Sequence, residues 1–398
     1  VISTHEDALM SQRHLPIAQL ILVLICVPVF LALAIPSAWL LAFAQSWRGH
    51  GLAGLGLALA IFPSALLIGW IAAQKGRAAA RFWHRFAVGL GVAILALGLA
   101  LLLTTPTGYP RADSPVSHQF VGERRFPRFT PTNIIPEVEQ VNAGFWAAAL
   151  LDPYIDWAQK REVSAYTFDL YREMERDPDF RALGSAMGWA YTDLLGFPPD
   201  VGHYYLYVPE NRPPGPLPAI VYLHGAAGNF KSYTWAWSRL AEEQGYVIIA
   251  PSFGFGDWRQ PGGVDAVLNA LDDAEQIVAL DPARIYLAGL SNGGYGVSEA
   301  SSAAPERFRG LIFLSPGMPI EIIGSPDFHN RWASRPVLVM AGGQDRRISL
   351  AYVDQRVALL ESGGVDVTYI TYPNADHFLF FDELDDVLGG IEAWLEEE

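Results

Sequence analysis

Three polar residues in the C-terminal half, Ser291, Asp345 and His377, stand in surroundings that suit nucleophilic acyl transfer. Ser291 lies in Gly289-Leu290-Ser291-Asn292-Gly293, after the apolar run Arg284–Ala288 and before the helix-like stretch Gly294–Ala300. A serine on a sharp strand-to-helix turn projects its hydroxyl clear of the backbone, and the crowded positions two before and two after it must be small. Both are glycine here. A serine hydroxyl needs an imidazole to take its proton and a carboxylate to orient that imidazole. Asp345 follows the run Pro336–Ala341 through Gly342-Gly343-Gln344, and His377 follows the run Val365–Tyr372 through Pro373-Asn374-Ala375-Asp376. Each is therefore expected in a loop at a strand's C-terminal end. Upstream, the run Pro218–Leu223 ends in His224-Gly225-Ala226-Ala227-Gly228-Asn229, a small-residue loop whose N–H groups can meet an oxyanion. The donors are assigned as the N–H of Asn292 and that of Ala226, with Ala227 as the next candidate.

Competing residues have plainer roles. Asp376 adjoins His377 and points away from it, so it reads as a loop-stabilising aspartate. Asp366 occupies an alternating, solvent-facing strand position. Asp257 ends a loop after the run Tyr246–Ala250 and can line the pocket. His224 reads as packing beneath the oxyanion loop, and Ser315 as a wall residue. Aromatic residues crowd the expected rim; Phe253, Trp258 and Tyr295, with Ala227, are the tentative substrate-binding set.

From Gly202 onward, apolar strand-like runs alternate with helical stretches, the pattern of a doubly wound parallel sheet with its site at the strands' C-terminal ends. These segments, in the chain order Ser291, Asp345, His377, resemble the α/β-hydrolase superfamily, in its branch of small esterases, dienelactone-hydrolase-like proteins and prolyl-oligopeptidase-type catalytic domains. The resemblance covers about residues 200–398. It implies an α/β-hydrolase sheet, mostly parallel, and a serine hydrolase, with a carboxylesterase as first reading and a peptidase or acyltransferase as alternatives. Following His224-Gly225 with Ala-Ala-Gly departs from the glycine run of hormone-sensitive-lipase-like esterases. No metal-ligand cluster stands out and no cofactor is expected.

The N-terminal quarter reads as membrane. Residues 17–44, 51–73 and 86–105 carry no charge, and a spanning helix needs about 20 apolar residues. Lys75, Arg77, Arg81 and Arg85 lie between the second and third spans and only Arg48 between the first and second. The positive-inside tendency then puts the N-terminus in the cytoplasm and the catalytic domain outside the cytoplasmic membrane. Residues 105–136, rich in proline, read as an extended linker, and 137–199 as helices packed on the catalytic core or forming a cap. Residues 1–104 hold six of the 27 basic and two of the 42 acidic side chains, leaving the rest at net −19. Such a field disfavours nucleic acid. The expected partners are a small-molecule or lipid-like ester and membrane lipid. The single cysteine, Cys26, forms no internal disulfide.

Overall fold

The chain divides between Thr105 and Pro106 into two units, and the computed structural model describes residues 27–122, 124–199 and 201–398. In the first unit, α1 (Val27–Phe43) is short, whereas α2 (Trp47–Lys75) and α3 (Arg77–Leu103) are each long and apolar enough to cross a membrane. The Ser46 hydroxyl starts α2 by accepting the Gly49 N–H at 3.0 Å. Glycines let the helices approach: a Cβ at Gly51 would lie 3.1 Å from Leu101, and one at Gly69 would lie 3.3 Å from Trp83. The expected spans 51–73 and 86–105 fall on α2 and α3. The first expected span, 17–44, lies partly outside the described residues. The basic segment expected as a loop between 73 and 86 is helical apart from Gly76.

The second unit is built on one eight-stranded sheet in the order β1-β2-β4-β3-β5-β6-β7-β8. Its strands are β1 (Val116–Phe120), β2 (His203–Tyr207), β3 (Leu217–Leu223), β4 (Val247–Pro251), β5 (Leu280–Leu290), β6 (Gly310–Leu314), β7 (Pro336–Gly342) and β8 (Asp366–Tyr372). β1 and β2 are antiparallel to their neighbours; the six strands from β4 to β8 are parallel. Apolar side chains cover both faces: Ile220 and Tyr222 enter one core, and Ala219, Val221 and Leu223 the other. That is why these strands read as continuous apolar runs. Strand order reverses at β3 and β5, which opens a crevice at their C-terminal ends.

The helices flanking the sheet include α9 (Lys231–Gln244), α10 (Gly263–Ile277), α11 (Gly293–Ala303), α14 (Leu350–Ser362) and α16 (Leu384–Glu397), with the short α12 (Ile320–Ile323) and α13 (Pro326–Trp332) between β6 and β7 and the short α15 (Leu379–Asp382) after β8. Before β2 come α4 (Pro131–Ile134), α5 (Glu137–Leu151), α6 (Trp157–Met174), α7 (Pro178–Leu183) and α8 (Met187–Leu194). Val138, Val141, Tyr171, Met174 and Phe180 are buried in the same core as Ile220 and Tyr222, so these helices pack on the sheet.

The stretch 105–136 is a correction to the expected linker, because it supplies the edge strand β1, paired from Val116↔Tyr207 to Phe120↔His203. The strand is only five residues long and its central inward residue is His118, so no apolar run announces it among the prolines. His118 is fully partnered. Its Nε2 lies 2.5 Å from the Leu183 carbonyl, which only accepts, so the proton sits on Nε2. His118 Nδ1 therefore accepts from His203 Nε2–H at 2.7 Å, and His203 Nδ1 accepts from the Ser252 hydroxyl at 2.8 Å. Ser252 Oγ in turn accepts from Asn229 Nδ2 at 3.1 Å. One directed chain of hydrogen bonds thus joins the edge strand to the loop after β3.

Burial holds His118 neutral down to about 3 and pushes His203 well below the usual imidazole range. In the unfolded chain both protonate near pH 6.5, so between pH 6.5 and about 3 the unfolded state binds more protons and stability falls as pH falls. The expected loss is about 1.4 kcal/mol per histidine per pH unit. Urea-unfolding midpoints across that window check it. The slope should flatten in His118→Gln, and an unchanged slope contradicts the assignment.

Candidate active site

β5 delivers Ser291 to the crevice on a strained turn. Its φ is +52°, its N–H donates to Leu314 O at 2.9 Å, and its own carbonyl accepts from Gly294 N at 3.0 Å and Gly317 N at 2.9 Å. The surrounding glycines are required by close approach: a Cβ at Gly289 would sit 2.5 Å from the Gly293 carbonyl carbon, and one at Gly293 would sit 2.2 Å from Leu223 O. The turn is therefore locked by β6 on one side and β3 on the other, and the hydroxyl is aimed outward.

Two loops complete the array. His377 Nε2 lies 2.9 Å from Ser291 Oγ, and His377 Nδ1 lies 2.7 Å from Asp345 Oδ2. Asp345 is buried, and its second oxygen accepts the N–H groups of Arg347 and Ile348, each at 2.8 Å. With Oδ1 fixed by two amides, Oδ2 is held toward the ring, so Nδ1 carries the proton and Nε2 is free to accept from the serine. The structure brings together all three residues singled out by the sequence.

The N–H groups of Asn292 and Ala226 have no acceptor among the described residues, and they flank the serine from α11 and from the loop after β3. Ala227 is a correction. Its N–H donates to Phe255 O at 3.0 Å, so it has no free donor to offer, and its φ of +83° belongs to that turn. Gly256 packs the two loops together: a Cβ there would lie 2.4 Å from Gly225 O. His224 is buried beneath. Its Nε2 accepts the Phe253 N–H at 3.1 Å and its Nδ1–H meets Gly225 O at 2.8 Å. Burial lowers its pKa to about 4, so the ring is neutral and structural.

Phe253 and Trp258 are also corrections. Both are fully buried core residues, with rings stacked at 5.3 Å, and the Trp258 indole N–H donates to His224 O at 2.9 Å. They support the oxyanion loop from behind and do not line a pocket. Bulk and chain position looked like rim; only packing shows which side of the loop they face. Tyr295 is half-buried on the first turns of α11 with Arg259 over its ring, and remains a wall candidate. Asp257 pairs with Arg259 at 3.1 Å. Asp376 accepts from Phe378 N at 2.7 Å and from Gln159 Nε2 at 2.8 Å, so it braces its loop. Ser315 is buried.

The sequence did not reveal that the elbow between α5 and α6 grips both catalytic loops. Arg347 pairs with Asp152, Arg346 with Asp156 at 3.1 Å, and Asp376 with Gln159. Phe145 meets Phe378 edge to face at 6.3 Å. On the other side, α8 packs on the oxyanion loop: a Cβ at Gly228 would lie 2.7 Å from Ala190 Cβ, and Asp193 Oδ2 accepts the Phe255 N–H at 2.7 Å. These pairs lie far apart along the chain, and no local motif marks them.

Parts of the chain are similar in sequence to known proteins. Residues 220–333, which include the oxyanion loop and the serine turn, match the family model described as "Alpha/beta hydrolase family". Over 157 residues, 35% of this chain and 38% of the relative, the sequence is 24% identical to poly(3-hydroxyalkanoate) depolymerase C of Paucimonas lemoignei. Over 110 residues, 24% of this chain and 16% of the relative, it is 34% identical to dipeptidyl-peptidase 5 of Porphyromonas gingivalis. The chain thus spans well under half the length of these curated relatives. Among solved structures, Est1E from Butyrivibrio proteoclasticus is 21% identical over 50% of this chain and 94% of its own, with a TM-score of 0.41. The second unit has the α/β-hydrolase fold with a mostly parallel sheet.

Proposed function

We propose that the chain is a membrane-anchored serine hydrolase that cleaves carboxylic esters through an acyl-serine intermediate. The observation that carries this reading is the continuous line from Asp345 Oδ2 to His377 Nδ1, at 2.7 Å, and from His377 Nε2 to Ser291 Oγ, at 2.9 Å. In that mechanism Ser291 Oγ attacks the ester carbonyl as His377 Nε2 takes its proton. The N–H groups of Asn292 and Ala226 hold the oxyanion. His377 then gives the proton to the departing alkoxide, and water, activated by the same ring, releases the acid and restores the serine. Asp345 holds the ring and stabilises its charged form.

Anchoring is supported by α2 and α3, whose outward side chains include Leu95 and Leu99, each more than half exposed. Hydrocarbon stabilises such a surface and water does not. Basic residues clustered at the junction of α2 and α3 favour the cytoplasmic side for it, which puts the hydrolase unit outside the cytoplasmic membrane.

A serine peptidase of the prolyl-oligopeptidase type is the second reading, favoured by Gly293-Gly294 after the serine and by the dipeptidyl-peptidase relative. An extracytoplasmic acyltransferase would use the same acyl-serine with a different acceptor. The expected outcome is that the full-length protein in detergent turns over p-nitrophenyl short-acyl esters faster than aminoacyl-proline amides, with free acid as product. Faster amide turnover would transfer the assignment to the peptidase, and a new ester formed with an added alcohol would transfer it to the transferase.

A further inference from the structure

Two apolar tips flank the site, and nothing in the hydrolytic chemistry uses them. On the acid–base side, α5 carries no charged residue from Val141 to Leu151. Leu150 is 69% exposed, Leu151 84% and the following Tyr154 48%. On the oxyanion side the chain from Leu194 to Pro199 is also uncharged, with Leu194 62%, Leu195 76% and Phe197 63% exposed. Both tips are rigidly held to the site. The first runs directly into the Asp152–Arg347 and Asp156–Arg346 pairs beside Asp345, and the second follows Asp193, which fixes the Phe255 N–H beside the oxyanion loop. Large aliphatic side chains at such exposure, gathered in uncharged segments of a unit with net charge −19, mark a surface that meets something apolar.

We propose that these tips dock the second unit on a lipid bilayer, so that the serine works on esters presented at the bilayer surface. The inference rests on the membrane anchoring and ester hydrolysis proposed above. Chain length supports that occupant. Three residues take the chain from Leu103, the last of α3, to Pro106, whose carbonyl already accepts from Asn133 at 2.9 Å. A segment of that length reaches about 10 Å, which keeps the unit within reach of any bilayer that α3 crosses. Charge sets the type of surface. The tips carry no Lys or Arg between residues 141–151 and 194–199, so an acidic unit gains nothing from anionic headgroups; insertion into a zwitterionic surface by apolar area is the mode that fits.

The test uses the full-length chain reconstituted in phosphatidylcholine vesicles, with a water-soluble short-chain ester and a long-chain ester dissolved in the same bilayer. In the Leu150→Asp/Leu151→Asp/Phe197→Asp variant, turnover of the bilayer ester should fall by about tenfold or more while the soluble ester stays within about twofold, which also shows that the variant is folded. A fluorophore on Leu151→Cys in a Cys26→Ser background should shift to the blue when phosphatidylcholine replaces detergent. Equal loss on both esters, or no loss on either, overturns the inference. So does a change of oligomeric state in detergent without selective loss on the bilayer ester, which would make the tips a contact between copies of this chain. Wild-type protein that hydrolyses neither ester removes the hydrolase reading, and wild-type protein that fails to float with vesicles removes the membrane reading; each overturns this inference with it, and the readouts are distinct.

Discussion

Ser291→Ala is expected to lower kcat for a soluble activated ester by about 10⁵- to 10⁶-fold with KM little changed. The substitution removes one oxygen at a half-buried position. The turn it sits on is fixed by backbone contacts, Ser291 N to Leu314 O and Gly317 N to Ser291 O, neither of which uses the side chain. The variant should therefore fold with an unaltered unfolding midpoint, and covalent labelling by a fluorophosphonate should disappear. Residual turnover comes from the N–H groups of Asn292 and Ala226, which still polarise a bound carbonyl. Activity retained above about one part in a thousand, or labelling that persists on another residue, would show that Ser291 is not the nucleophile. Ser315 is the alternative worth tracing by mass spectrometry, since it also ends a strand.

The second large effect is on stability and lies at Glu137, at the start of α5. Its carboxylate is buried and accepts from the Tyr171 hydroxyl at 2.7 Å, the Ser185 hydroxyl at 2.8 Å and the Lys231 N–H at 2.9 Å. Lys231 opens α9 directly after the oxyanion loop, and its own buried ammonium reaches Glu175 at 2.7 Å. Glu137→Leu would leave three buried donors unpartnered. The expected cost is about 3–5 kcal/mol in chemical denaturation. Glu137→Gln keeps the shape and one acceptor oxygen and should cost about 1–3 kcal/mol. Burial, the largest influence on Glu137, raises its pKa above the ordinary carboxylate value. A raised folded pKa contributes stability below the unfolded value and loses it as pH rises through the folded value. The deficit of Glu137→Gln relative to wild type should thus shrink as pH rises above about 4.5. A deficit that grows instead would mean that the partners outweigh burial.

Much of the site was legible because its chemistry is written in short local patterns. The turn around Ser291 needs small residues at fixed offsets, and the steric limits at Gly289 and Gly293 impose them whatever surrounds the turn. Asp345 follows the buried parallel strand β7, apolar on both faces and easy to see. His377 follows the parallel edge strand β8, which is only part-buried and is marked by its β-branched and aromatic residues. The edge strand β1 was hidden for the opposite reason. An antiparallel edge needs few apolar residues, and its inward His118 is satisfied by His203 and Leu183, partners that no window of sequence contains.

The sequence by itself determined that a serine, an aspartate and a histidine each follow a strand of one sheet, in an order that brings them to one edge, and that long apolar helices precede them. These are properties of local spacing and composition. Tertiary structure alone decided which neighbours serve the site. Phe253 and Trp258 turn into the core, Ala227 gives its N–H to Phe255, and the α5–α6 elbow clamps the loops of Asp345 and His377. Which way a side chain faces, and which distant segment meets it, follows from how the layers pack around the sheet, and that is a property of the whole folded chain.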